Sequence, residues 1–274
     1  MLIKYTLPVI GKTEVPLYGE TIDIYSFLEE HRQIFRLRNL NQLGVISEVI
    51  HTARHPKFEY IFLQLYLFDE IKDLKGVYPL NKNIYETITG TELLKIWALL
   101  LSIGHMPCTF PVEKAILRIL FEDKKIKDNL LSSIDSEGIR QYSEKIIEEQ
   151  NIYSFYHVLS FIKLFKYCHG REQIAFSKRC ATLLSLYCFD SKKASLNQLK
   201  ELFGKIRRFS YVMLDSYYTS GKNILNLEDL KNFSGVMPNE HLQALINCMD
   251  SYLLQQIYKT RECIIAEVLL YQAI

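Results

Sequence analysis

Long intervals free of turn residues constrain this chain most: no proline occurs between Pro111 and Pro238, and apolar residues recur there every three or four positions. That spacing lines side chains along one helical face, since an α-helix turns once in about 3.6 residues. With 11 Gly and 7 Pro in 274 residues, there are too few turn formers for a fold of many hairpins. Helices are therefore expected along most of the chain.

The 18 Tyr and 15 Phe report core volume rather than helix content, because aromatics also suit strands. At 49% hydrophobic and 23% charged residues, the composition is that of a soluble globular protein and not of a disordered one. A formal net charge of +2 argues against broad electrostatic capture of nucleic acid. The six cysteines form neither a dense disulfide framework nor a CxxC knuckle, so they read as reduced thiols. The opening MLIKYTLPVIGKTEVPLYGE lacks a leader pattern, and IWALLLSIG is too short to cross a bilayer. A cytoplasmic protein without a membrane segment is expected.

Residues 3 to 18 read as a strand or hairpin around Gly11, with Pro8 and Pro16 limiting its pairing. From Asp23, the spacing of Ile24, Phe27, Leu28, His31 and Phe35 predicts a short helix running into a second helical turn that ends near Gly44. FEYIFLQLYLFDEIKDLKG predicts a buried helix, its length and the Gly76 and Pro79 stops outweighing the strand propensity of Phe58, Ile61 and Phe62. Residues 77 to 89 read as a loop or a short helical excursion. TELLKIWALLLSIGH then predicts a helix capped by Thr89 or Thr91, with Glu92 at its positive end. In VEKAILRILFEDKKIKDNLL, Val112, Ala115, Ile116, Ile119 and Leu120 form the apolar side, leaving Glu113, Lys114 and Arg118 to face water. Helices also fit residues 138 to 168, 172 to 189, 196 to 219, 239 to 257 and 259 to 272, with Gly221 and Asn223 as a break. No internal repeat is evident.

Three clusters carry candidate chemistry. In RLRNLNQLGVISEVIHTARHPKFEYIF, Arg36 or Arg38 can clamp a phosphate or carboxylate through paired guanidinium donors, or serve as an ordinary partner of Glu29, Glu30 or Glu59. His51 and His55 would share a face if the segment between them were helical, although Pro56 cuts it short. In LLLSIGHMPCTF, Ser102, His105 and Cys108 are the polar candidates, but no orienting acid for nucleophilic catalysis is identified. In KIRRFSYVMLDSYYTSGK, Asp215 follows an apolar run, with Lys205, Arg207, Arg208 and Lys222 supplying positive charge and Tyr211, Tyr217 and Tyr218 aromatic surface.

The three clusters acquire a common explanation in a family resemblance. RLRNLNQLG followed by ARHPKFEY is similar to the RLxxxxQLG and AxHxRFEH pattern of the HD-domain phosphohydrolases, particularly the deoxynucleoside triphosphate triphosphohydrolase branch. ALLLSIGHMP resembles that family's AxxxHDxGHxP, and SYVMLDSYYTSG its DYxxRD region. The resemblance implies an HD-like helical core over residues 25–225; with the residue patterns, the expectation is a mostly α fold with an N-terminal extension at 1–24 holding a short β-hairpin and a C-terminal helical extension at 226–274 packed on the core.

Members of that family hold a divalent metal with His and Asp side chains to activate water. By resemblance the first metal-binding His falls at Tyr60, and the central His and Asp at Leu101 and Ser102, while the last Asp is retained as Asp215. Leu101 cannot coordinate a metal, and neither Ser102 nor Tyr60 is a routine replacement. The expectation is a catalytically inactive HD-like structural, regulatory or partner-binding module with no cofactor. Arg36, Lys57 and His105 would be ligand-binding, toward a nucleotide or phosphate, and a protein partner or a second copy would be its associate. The alternative is a divergent phosphohydrolase acting on a nucleotide or other phosphate ester through a displaced Mn or Mg site or without metal. His105 would then transfer a proton and Asp215 orient or coordinate, with His51 and His55 as further candidates.

Overall fold

Alternating inward and outward side chains set the first element. Ile3, Leu7 and Val15 turn into the core from a hairpin of β1 (Leu2–Leu7) and β2 (Gly11–Pro16), paired antiparallel from Leu2 opposite Pro16 to Leu7 opposite Gly11. The chain is seen in a computed structural model that describes residues 1–71, 77–81, 84–166, 171–189, 191–221, 225, 233–234, 237–238 and 240–274. Gly76, Cys168, Lys222 and Asn223 lie outside the described residues.

Helices α1 (Glu20–Glu30) and α2 (Gln33–Asn39) follow, then a short α3 (Ile46–Val49) and the central α4 (Lys57–Glu70). Arg32 breaks the line between α1 and α2 with φ 57°, and the turn carries Phe35 out to 69% exposure although its spacing suggested the core face. Helix α4 is buried nearly all round, packing against α5 (Gly90–Ser102), α11 (Ala194–Ser220), α2 and the hairpin. Tyr5 of β1 meets Phe58 and Phe62 of α4 with ring centroids 5.4 Å apart in each case. Each such buried aromatic or aliphatic side chain contributes about 1.5–3 kcal/mol of transfer free energy. Trp97 of α5 donates its indole N–H to the Leu183 carbonyl at 3.0 Å and packs edge-on to Phe203.

In the stretch expected as a loop or helical excursion, β3 (Val77–Asn81) and β4 (Ile84–Thr89) instead pair antiparallel. Val77, Tyr78, Ile84, Tyr85, Thr87, Ile88 and Thr89 are β-branched or aromatic, and that local preference prevails where no long helical period competes. Thr89 caps α5 as expected, its hydroxyl oxygen accepting from the Glu92 amide at 3.2 Å.

Two tracts expected as single helices divide. Asp123 ends α6 (Phe110–Glu122) and caps α7 (Lys124–Leu131), its carboxylate accepting from the Ile126 amide at 3.0 Å. Gln150, at φ 48°, separates α8 (Glu137–Glu148) from α9 (Ile152–Lys166). On α6 the expected facing is also corrected: Glu113 is 3% exposed, whereas Ile119 is 37% exposed. The chain continues through α10 (Arg171–Cys188) and α11, which Gly221 closes at φ 70°. A minimal pair, β5 (Phe233–Ser234) and β6 (Met237–Pro238), precedes α12 (Glu240–Leu253), a π-helical turn at Leu254–Tyr258 and α13 (Arg261–Ala273). Among the described residues, no helix is long and apolar enough to cross a membrane.

Candidate functional site

Two glycines explain why the motif segments meet. A Cβ on Gly44 would lie 2.6 Å from the Cys108 carbonyl oxygen and 2.4 Å from Thr109 Oγ1, and one on Gly104 would lie 1.9 Å from the Tyr156 carbonyl oxygen. The loop after α2 thus presses on the α5–α6 loop, and the end of α5 presses on α9. Cys108 and Thr109 themselves hold positive φ, 58° and 48°, a strained pair for residues with side chains.

The carboxyl end of α5 exposes carbonyl groups that need donors. Arg36 supplies two: Nη1 donates to the His105 carbonyl at 2.6 Å and Nη2 to the Ile103 carbonyl at 2.7 Å, while Nε donates to Gln33. Lys163 of α9 also donates to the Ile103 carbonyl, at 2.8 Å. Arg36 therefore acts as a clamp on backbone. Arg38 lies over the Phe58 ring, and Glu59 accepts from Tyr5 and Tyr218 rather than from either arginine.

His105 projects from that loop. Its Nδ1 lies 3.1 Å from Glu113 Oε1, and its ring stacks on Tyr156 with centroids 4.6 Å apart. Burial, then the nearby Lys57 charge, pushes the imidazole down to about 4. It is neutral at neutral pH, with Nδ1–H donating to Glu113 and Nε2 keeping a lone pair. Burial acts to raise the Glu113 carboxyl, but the contacts from His105 and the Met106 amide outweigh it and hold it below the usual range. Glu113 is the orienting acid that the sequence did not identify.

Lys57, in the first turn of α4, is 5% exposed, and its ammonium sits 4.8 Å above the Tyr60 ring. Burial and then the Arg207 guanidinium push it down to about 7. Arg207, on α11, donates Nη1 to Tyr156 Oη at 2.6 Å and Nε to Tyr60 Oη at 3.3 Å. Arg208 turns elsewhere, to Asp250 of α12.

Asp215 forms a separate group. Its Oδ1 lies 3.0 Å from His55 Nε2 without hydrogen-bond alignment, its Oδ2 accepts from Tyr258, and His55 stacks on Tyr218 with centroids 4.4 Å apart. His51 is exposed in a turn, and the segment joining it to His55 is not helical, so the shared face does not form. Leu101 is core, 2% exposed, and Ser102 Oγ donates to the Ala98 carbonyl at 2.7 Å. These residues do not fit a divalent cation: Tyr60 faces a guanidinium, Leu101 has no donor atom and Ser102 is turned into its own helix. Among the described residues, no group of three or more His, Cys, Asp or Glu side chains is placed to hold a metal. Two surface clefts of about 310 and 370 Å³, both lined by Arg118, Glu122 and Tyr271, involve none of Lys57, His105 or Arg207.

No protein-family profile matches the chain, and no curated protein matches it in sequence. Solved structures match in fold. A phosphohydrolase from Bacteroides thetaiotaomicron superposes with a TM-score of 0.62 at 18% identity, over 96% of this chain and 56% of its own. A hypothetical protein from Aquifex aeolicus gives 0.57 at 18% identity, over 99% of this chain and 64% of its own. The chain thus spans less than two thirds of the length of either structure. At this identity the likeness is one of fold alone.

Proposed function

We propose that this chain is an HD-like module that works by binding, in a structural, regulatory or partner-holding role, and lacks the family's metal-dependent hydrolysis. One observation carries the reading: the Arg207 guanidinium is hydrogen-bonded to Tyr60, the residue that stands where the first metal-binding His is expected. A fixed positive group beside that position opposes a divalent cation through like-charge repulsion. The kinship to the deoxynucleoside triphosphate triphosphohydrolase branch rests on the sequence motifs alone. Under this reading residues 25–225 are the HD-like unit, and residues 226–274 are an extension fastened by Tyr258 to Asp215 and by Asp250 to Arg208. A nucleotide or phosphate ligand fits better at Lys57 and His105 than at Arg36, whose donors face carbonyls.

A second reading, a metal-free phosphohydrolase, is favoured by the His105–Glu113 pair. A neutral imidazole with Nδ1 fixed by a carboxylate can accept a proton from water at Nε2. Asp215, whose Oδ2 accepts from Tyr258, would position neighbours rather than attack. Assay of the purified chain on nucleoside triphosphates and phosphate esters with Mg²⁺, Mn²⁺, Co²⁺ or EDTA, beside metal analysis, separates the two. The binding reading expects no turnover above a His105→Ala control and no stoichiometric metal. Metal-dependent turnover sinks it, and turnover in EDTA abolished by His105→Ala establishes the second.

A further inference from the structure

Aliphatic side chains gathered on one exposed helix face mark a surface that association would remove from water. Helix α13 has two such faces. Cys263 is buried on the side that packs against α6 and α3. On the opposite side Ile264, Ile265, Val268 and Leu269 are all exposed, Leu269 to 61%. These four positions fall within two helical turns on one stripe, which becomes polar only at its ends, at Arg261 and Gln272. Beside the Gln272 end lies the carboxyl end of α6. There a cleft of about 310 Å³ is lined by Glu122 and Ile119 of α6 and by Tyr271 and Gln272 of α13. Glu122 uses Oε1 to hold Arg118 at 2.8 Å, which leaves Oε2 to solvent. Arg261 is exposed and has no ion-pair partner among the described residues.

We propose that the outward face of α13 is a docking surface for a second copy of this chain, the two α13 helices pairing antiparallel about a two-fold axis between Ile265 and Val268. Charge selects that direction. A parallel two-fold would set Arg261 against Arg261, whereas the antiparallel one carries Arg261 of one copy to Gln272 of the other, beside the cleft and the spare oxygen of Glu122. The same symmetry sets Ile265 opposite Val268 and keeps Ile264 and Leu269 against aliphatic neighbours, so no charged group is buried in the centre. A lipid surface suits the face less well, since α13 carries one cation, Arg261, against Glu262 and Glu267, and not the basic rim of a membrane-lying helix. The 13 residues of α13 span about 20 Å, a short contact beside the roughly 800 Å² per partner of a standard interface, so the pairing is reversible and in the micromolar range. Lys57, His105 and Arg207 take no part, and the proposal goes beyond the binding reading without resting on it.

The test is sedimentation equilibrium of the full chain across a concentration series from nanomolar to hundreds of micromolar. A monomer–dimer equilibrium is expected. Leu269→Glu should weaken it at least tenfold and leave the circular dichroism spectrum unchanged, because the side chain is exposed in the single chain. Arg261→Glu should also weaken it, and adding Glu122→Arg to that variant should restore dimerisation, a rescue that a merely structural arginine would not give. Register is read by mixing a chain carrying Ile265→Cys with one carrying Val268→Cys under mild oxidation and mapping the disulfides by mass spectrometry. The mixed 265–268 bond should form faster than either 265–265 or 268–268. A chain that stays monomeric throughout the series, a dimer indifferent to Leu269→Glu, failure of the charge exchange to rescue, or cross-linking that favours 265–265 would each overturn the proposal. So would a monomer that binds vesicles of phosphatidylserine and phosphatidylcholine through Leu269, which would give the face to lipid. Metal-dependent turnover would overturn the module reading and leave this interface standing.

Discussion

At the scale of single residues, Arg36 shows how one side chain can be read two ways. Its guanidinium spans the Ile103 and His105 carbonyls at the end of α5, a geometry that a lysine point charge cannot reproduce. Arg36→Met should therefore destabilise the chain by about 1–3 kcal/mol, the cost of stranding the His105 carbonyl while Ile103 keeps Lys163 as its donor, and Arg36→Lys should recover only part of it. Urea denaturation checks this; an Arg36→Met chain as stable as wild type would remove the clamp from the account. Glu113→Ala is predicted to cost a similar 1–3 kcal/mol, because the His105 ring and the Met106 amide both lose an acceptor. Its companion signature is a further fall in the His105 pKa, followed by NMR titration, since Glu113 acts to raise it. Neither role was legible in the sequence for a physical reason. Helical periodicity sorts apolar from polar positions, so a charged residue turned inward to satisfy a loop looks like any solvated Glu. Lys57, Tyr60, Leu101 and Ser102 could be singled out because motif order marks positions, but Arg207 and Tyr156 join them only through packing of α11 and α9.

Among the elements, the long helices were readable and the short pieces were not. Helices α4, α5, α10 and α11 carry enough turns for their period and end residues to be plain. The β3–β4 hairpin has too few residues for a pattern to outweigh neighbouring helical tracts, and the break at Gln150 carries no proline or glycine to announce it. The C-terminal attachment was equally hidden. The π-helical turn widens the helix for one cycle and delivers Tyr258 onto Asp215, far back in the sequence on α11. Tyr258→Phe leaves the buried Asp215 one donor short and should cost about 1–3 kcal/mol. Hydrogen exchange should then quicken in residues 254–273 while α4 and α5 keep their protection. Equal acceleration across all helices would mean that the contact holds the whole fold and not the extension.

For the whole molecule, the same buried bases dictate how stability varies with pH. Burial, with neighbouring positive charge, holds Lys57 and Lys163 at about 7, His105 at about 4 and His157 at about 3. Each is a base whose folded value lies below its unfolded value, so the unfolded chain binds more protons in the intervening window and stability rises with pH there. For the histidines that window runs from about 3–4 up to roughly 6.5, and for the lysines from about 7 up to roughly 10.4. Tyrosines set the upper turn: Tyr5 and Tyr156, pushed up to about 12 chiefly by burial, stay protonated where unfolded tyrosines begin to ionise at about pH 10. The melting temperature should thus climb from pH 7 to pH 9 and fall beyond pH 10, with Lys57→Met showing a shallower climb. Calorimetry at constant ionic strength is the measurement. A melting temperature that falls from pH 7 to pH 9, identically in wild type and Lys57→Met, would show that Lys57 folds with its charge compensated.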